Sequence, residues 1–269
     1  MVEPGWYHSS KSLLERSLAE LLLLGTGAAL TDGSREPTML ALRGPASTVL
    51  IDCGGNAARQ LQRLGVPLDT LERVILTHEH PDHTSGFALL VETLWLAGRR
   101  RPIPVHGPAP TLDVVRRVFA QWDTRDWAGL PALDWRPVPL EVGAPIAAGA
   151  DFDLTAAPGV HGHVPVIGVR AQDRRSGGRL AYSADGAPSA GIRALAQAVD
   201  VLVHEATGDH PVHSTAEGAA ELGRAAGAGR LVLVHLAPTE NDLDAQRAAA
   251  ARLFPGPVFI GQDLDRYTF

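Results

Sequence analysis

The run RVILTHEHPDHT, residues 73–84, constrains this chain more than any other stretch. An apolar strand pattern, Val74 to Leu76, ends at Thr77, and His78, His80, Asp82 and His83 follow before a helical pattern begins. In extended backbone, residues i and i+2 point the same way, so His78 and His80 can reach one metal ion together. Asp82 and His83 lie past the turn and can reach a second ion close by. Neutral imidazole and carboxylate are donors that zinc accepts readily, and manganese or iron can use the same set. The expected cofactors are therefore two divalent ions, zinc by default. A solvated loop that happens to be rich in histidine is the competing reading. The concentration of four such groups at the end of an apolar strand argues against it.

The rest of the chain supplies a setting for such a loop. Short apolar runs recur between Gly, Pro, Asp and Asn: LLLLG, TMLAL, TVLID, IPVHG, FDLTAA, VIGVRA, RLAYSA, VLVHEA, LVLVHL and PVFIG. Each has the length of a strand. Helical spacing appears in NAARQLQRLG, TSGFALLVETLWLAG, TLDVVRRVFAQW, IRALAQA, TAEGAAELGRAAG and AQRAAAARLF. Strands and helices mixed in this way predict an α/β fold with sheet buried under helices. Residues 121–150 are the least regular stretch, with Trp122, Trp127 and Trp135 among prolines. These rings suit core or loop-anchoring packing, with the wall of a substrate cleft as the alternative.

A length of 269 residues with 45% hydrophobic content fits residues 18–269 as a single domain after an N-terminal tail at 1–17. The net charge of −6 argues against wrapping nucleic acid through overall charge. The basic run GRRRP (98–102) reads as a solvated helix end. Cys53 is the only cysteine, so there is no intrachain disulfide and no cysteine zinc cage. LAELLLLG (18–25) is too short to span a membrane, and a cytoplasmic location is expected.

The pattern His-x-His-x-Asp-His resembles the signature of the metallo-β-lactamase fold, a four-layer αββα sandwich of two mixed sheets with helices outside. That resemblance implies further ligands on later strand ends, and His163, Asp185 and His235 match them. His161 competes with His163. His163 is chosen because Gly168 follows five residues later, as in the family pattern. The implied site holds one ion on His78, His80 and His163 and the other on Asp82, His83 and His235, with Asp185 between them. Asp52, in VLIDCGG, resembles the family's aspartate that orients a ligand histidine.

Fold alone does not set function here. LLLLGTGAALTDGSREPTMLAL, IDCGGNAARQLQRLG, IPVHGP, HEAT (204–207) and HST (213–215) resemble the ribonuclease Z branch, over about residues 20 to 269. That branch uses a long Gly- and Pro-rich arm to grip transfer RNA. Here 22 residues separate His163 from Asp185, enough for two strands and a turn but not for an arm. DCGGNA and Pro81 also depart from the branch's usual residues.

The resemblance therefore implies a two-metal phosphodiesterase acting on a small phosphodiester. A water acidified by the metals would attack phosphorus, with His213 as general acid, Glu205 holding its ring, and Asp82 orienting the water as well as binding metal. His204 is expected to be structural and His210 an exposed loop residue. Ribonuclease Z activity on RNA, aryl sulfate or lactone hydrolysis, and a non-catalytic metal-binding role are the alternatives. A homodimer is implied by the resemblance alone.

Overall fold

The computed structural model describes residues 19–30, 33–238 and 242–269. The expected tail, residues 1–17, lies outside the described residues. Two seven-stranded sheets face each other. The first contains β1 (Glu20–Gly25), β2 (Met39–Arg43), β3 (Thr48–Ile51), β4 (Leu71–Ile75), β5 (Ile103–Gly107) and β6 (Leu133–Pro137). The second contains β7 (Ala144–Ala148), β8 (Phe152–Pro158), β9 (Ile167–Asp173), β10 (Arg179–Tyr182), β11 (Val201–Glu205), β12 (Arg230–Val234) and β13 (Val258–Ile260). The chain's last strand, β14 (Arg266–Thr268), returns to the first sheet. The orders are β14-β1-β2-β3-β4-β5-β6 and β13-β12-β11-β10-β9-β8-β7. Each sheet is antiparallel over one half and parallel over the other.

Strand alternation builds three core layers. In β1, Leu21 and Leu23 enter the core between the sheets, while Leu22 and Leu24 face helices on the outer side. Those helices are α1 (Ala57–Arg63), α3 (Phe87–Leu96) and α4 (Ala109–Phe119), and the short α2 (Pro81–Thr84) lies between α1 and α3 in the histidine-rich loop. On the other sheet, Val201 and Val203 of β11 point between the sheets and Leu202 points outward. The outward face packs against α5 (Ala190–Leu195), α6 (Ala216–Ala226) and α7 (Leu243–Leu253). Helix, sheet, sheet, helix is the four-layer sandwich that the metallo-β-lactamase resemblance implies. Local signals agree with the helix ends. Asn56 and Thr215 accept N-cap bonds, and Gly227 closes α6 with a left-handed backbone, φ 68°.

Residues 121–150 are more ordered than the sequence suggests, for β6 and β7 lie here, one at the edge of each sheet. Trp135 is packed against the outer core of the first sheet, 5.7 Å from the Phe87 ring. Trp127 stacks on Trp95 at 4.8 Å. Trp122 is the exposed member, 59% accessible. Two of the three tryptophans thus pack and anchor, as their composition suggests. Trp122 instead lines a groove of about 300 Å³ with Glu79, Pro81, Phe87, Val118 and Phe119. Among the described residues, no helix is long and apolar enough to cross a membrane.

Candidate metal centre

The loop after β4 begins at Thr77 and carries the four clustered donors. It is held in place from below by the segment after β3. Cys53 donates its N–H to the His83 carbonyl at 2.7 Å and accepts one from Gly86 at 2.8 Å. Gly54 permits this contact, since a Cβ there would fall 1.6 Å from the Asp82 carbonyl oxygen. Pro81 opens α2 at its first helical position, where its fixed φ and missing N–H are tolerated.

His78, His80 and His161 form one donor cluster. His80 Nδ1 lies 3.0 Å from His78 Nε2 and 3.2 Å from His161 Nε2. Asp82, His83, Asp185 and His235 form the second. His235 Nε2 lies 3.1 Å from Asp185 Oδ2 and 3.3 Å from Asp82 Oδ2, and His83 Nε2 lies 3.3 Å from Asp185 Oδ2. Asp185 Oδ2 is also 3.9 Å from His78 Nε2, so this carboxylate sits between the two clusters.

His163 is not in either cluster, and this corrects the sequence reading. His161 and Val164 close a tight turn, Val164 N–H to His161 C=O at 3.0 Å, with Gly162 in a left-handed conformation at φ 59°. His163 sits at the exposed tip of that turn, while His161 before it is 3% accessible and faces the cluster. The signal was present in the sequence. A glycine between two histidines marks the turn, and the residue before the turn stays in line with the strand end.

Parts of the site need backbone that alternation alone would not supply. Asp52, Ala184 beside Asp185, and His235 all have positive φ, at 62°, 55° and 56°. Such strain in non-glycine residues concentrates at functional sites. It swings Asp52 and His235 across the ends of β3 and β12 toward the loop.

The far side of each ring is also fixed. His83 Nδ1 is 2.9 Å from Asp52 Oδ2, and Asp52 accepts from the Thr77 N–H and hydroxyl, both at 2.8 Å. His161 Nδ1 donates to the Val212 carbonyl at 2.9 Å. His78 Nδ1 faces the Thr77 hydroxyl at 3.1 Å, and His235 Nδ1 faces the Thr207 hydroxyl at 2.7 Å. With Nδ1 of these rings engaged, Nε2 is left as the lone-pair atom that faces the cluster.

These residues fit two divalent ions. Three ring nitrogens converge in one cluster, and two imidazoles with two carboxylates converge in the other. His83 Nε2 and Asp185 Oδ1 are buried and have no hydrogen-bond partner among the described residues. A bound cation would supply the missing partner. In the metal-free chain, burial pushes the Asp185 carboxyl up, but His235 and His83 outweigh it and hold it well below the usual range. Burial likewise disfavours charge on His83, and Asp185 and Asp52 outweigh it, raising that ring well above its ordinary value. At His78 burial prevails and the ring stays neutral, as a ligand requires.

Glu205 and His213 adjoin both clusters: His213 converges with His161 and Asp185, and together with Glu205 it converges with His235. Glu205 ends β11 on the face shared with Val201 and Val203, fully buried. Its Oε1 is 2.8 Å from His213 Nδ1 and accepts N–H bonds from Gly186 and Ser214. The His213 ring lies 5.0 Å from His161 and 5.6 Å from His235, one ring from each cluster. Burial opposes charge on both groups, yet the mutual bond prevails: Glu205 is lowered and His213 raised. His204 points to the opposite face, buried, with Nδ1 against the Glu205 carbonyl. His210 is exposed, its ring 5.5 Å from His213.

Comparison with known proteins identifies the family and the fold. Residues 47–236 match the beta-lactamase superfamily domain. Ribonuclease Z of Methanothermobacter thermautotrophicus is 27% identical over 88% of this chain and 93% of its own length. Ribonuclease Z of Mycolicibacterium gilvum is 30% identical over 93% and 96%. Among solved structures, the metallo-beta-lactamase fold protein YhfI of Bacillus subtilis superposes with a TM-score of 0.78 at 21% identity, covering 94% of this chain and 100% of that one. Human tRNase Z, short form, gives 0.74 at 22%, over 92% and 98%. A diphosphatase of the PhnP family gives 0.72 at 20%, over 93% and 98%.

Proposed function

Because the chain belongs to the beta-lactamase superfamily, in its ribonuclease Z-like branch, and is a hydrolase of the metallo-β-lactamase fold, we propose that it is a two-metal phosphodiesterase acting on a small phosphodiester. The observation that carries this reading is the Glu205–His213 pair set against rings from both donor clusters. An alkyl phosphodiester such as a dinucleotide releases an alkoxide that must be protonated. An aryl sulfate releases a phenolate that is stable without a proton, so a built-in acid favours the diester.

When bound, two divalent ions supply Lewis acidity toward a phosphoryl oxygen and lower the pKa of water. Zinc suits the donor set, and manganese or iron can use it as well. His78, His80 and His161 would hold one ion, and Asp82, His83 and His235 the other, with Asp185 shared. Asp82, partly exposed at the mouth, also orients the attacking water. His213 binds Glu205 through Nδ1, which leaves Nε2 to deliver the proton to the departing oxygen. Glu205 stays ionised and favours the charged ring before transfer.

Two observations favour a short substrate over precursor transfer RNA. β9 and β10 are joined by residues 174–178 alone, so no arm leaves the domain there. The groove that borders the metal loop is lined by Glu79, Thr84, Ser85 and apolar side chains, with no Lys or Arg in it, a poor surface for a polyanion. Processing of transfer RNA 3′ ends is the second reading, favoured by relatives that carry the ribonuclease Z name along nearly the whole chain. Turnover of bis(4-nitrophenyl) phosphate, a dinucleotide, 4-nitrophenyl sulfate, a lactone and a precursor transcript separates the readings. Diester turnover well above the sulfate and lactone, without transcript cleavage, supports the proposal. Transcript cleavage, or sulfate turnover exceeding diester turnover, overturns it.

A further inference from the structure

We propose that Thr207 is a positioning residue that ties the His235 metal site to the Glu205–His213 pair, so that the proton donor and the second ion are held by one hydrogen-bond relay. The inference rests on reading the site as a two-metal hydrolase. It does not depend on which ester is cleaved.

The Thr207 hydroxyl lies 2.8 Å from Glu205 Oε2 and 2.7 Å from His235 Nδ1. It has one proton. Given to the buried carboxylate, that proton leaves a hydroxyl lone pair to accept N–H from His235. The His235 ring is thereby fixed with its proton on Nδ1, and Nε2 is free toward Asp82 and Asp185. The Thr207 N–H also donates to Oε2 at 2.9 Å. This carboxylate oxygen thus binds Thr207 twice, while Oε1 takes His213, Gly186 and Ser214. Glu205 cannot turn without breaking one side or the other. Gly186 follows the shared Asp185, so the same carboxylate touches the backbone beside that donor too.

The other half of the molecule repeats the figure. The Thr77 hydroxyl lies 2.8 Å from Asp52 Oδ2 and 3.1 Å from His78 Nδ1, and Asp52 binds His83 directly at 2.9 Å. In each half a buried carboxylate grips one histidine directly and a second through a threonine hydroxyl. In the first half both histidines face the ion clusters. In the second, one faces a cluster and the other is the proton donor. The repeated geometry on unrelated local sequence, LTHEH against HEATG, argues that the threonine hydroxyl serves the histidine tautomer and not merely its own turn.

The test uses the full chain with zinc alone as the probe. Thr207→Val deletes the hydroxyl and keeps the branched shape, and Thr207→Ser keeps the hydroxyl. Partners of this kind tune metal affinity by about 10–100-fold. We expect Thr207→Val to weaken binding of one of the two zinc ions by that factor, measured by competition with a chromophoric chelator. At saturating zinc its kcat should still fall at least about tenfold with KM little changed, because Glu205 has lost one of its two bonds to Thr207. Thr207→Ser should restore both. If Thr207→Val does not fold, Thr207→Ala must show the same loss. Wild-type zinc affinity and kcat in the hydroxyl-free variants, or equal damage in Thr207→Ser, overturns the inference. Failure of wild type to cleave diesters would refute the proposed substrate and leave the zinc titration to decide this point.

Discussion

Replacing Glu205 with Gln probes the proton donor with almost no change of shape. The carboxylate accepts from His213 Nδ1, Gly186 N–H, Ser214 N–H, Thr207 N–H and the Thr207 hydroxyl. An amide keeps its oxygen on the side with three donors and turns its nitrogen toward Thr207. The hydroxyl can rotate to accept, but the Thr207 N–H then meets another donor. An unsatisfied buried N–H costs about 1–3 kcal/mol. For a chain of this size that is a fall in Tm of roughly 3–10 °C. The effect on pH dependence is more diagnostic. The Glu205 bond and charge raise His213 despite its burial, so its acid form persists above the ordinary value of about 6.5. Rate carried by that acid is lost as pH rises through the raised value. Glu205→Gln removes the cause, so the alkaline limb of kcat must move to lower pH, and kcat near neutrality should fall by about 10²-fold or more. Linkage gives a second sign. The depressed Glu205 contributes stability that is lost as pH falls through its folded value, and the raised His213 contributes stability that is lost as pH rises through its own. In the metal-free protein, the Tm difference from wild type should be largest between about pH 4.3 and 6.5, the two unfolded values. Steady-state kinetics across pH and calorimetry on the chelated protein measure these. An alkaline limb that stays put or moves upward refutes the assignment of His213 as an acid charged by Glu205.

Other outcomes follow from the same geometry. His161→Ala should lose one of two metals and most activity, whereas His163→Ala, at an exposed turn tip, should retain both within twofold, as elemental analysis and turnover will show. His213→Ala should keep both metals and lose turnover of a dinucleotide by about 10²–10⁴-fold. Cys53 is buried, and burial and Asp52 push its thiol up to about 12. A chromogenic thiol reagent at pH 8 should therefore label it only after denaturant is added. Gly54→Ala should destabilise the fold severely, since its methyl group would overlap the Asp82 carbonyl; loss of soluble protein or a large fall in Tm checks it.

The sequence shows much of this architecture, for physical reasons that differ by element. The alternating leucines of β1 serve two cores, so their apolar run is continuous and easily read. The donors His78, His80, Asp82 and His83 are local in sequence, so spacing alone groups them. What escapes the sequence is long-range or edge-bound. β6, β7 and β14 are edge strands that pair on one side only, and segments such as LDWRP show no clean period. The choice between His161 and His163 depends on a turn one residue wide. His235 can be read as the end of an apolar strand, but the left-handed backbone that aims it cannot. Thr207 looks like a turn residue until His235, 28 positions later, is placed against it.

The central claim is that two ion clusters and one proton-donor pair form a diesterase. Its most direct test is a metal titration of the chelated wild-type protein, following turnover of a dinucleotide, whose leaving group is an alkoxide, and of 4-nitrophenyl sulfate in the same samples. The account predicts diester turnover that rises to a plateau at two zinc ions per chain, with little turnover of the sulfate. A protein that binds two ions yet turns over the sulfate in preference to the diester, or that reaches full activity with none, would contradict it.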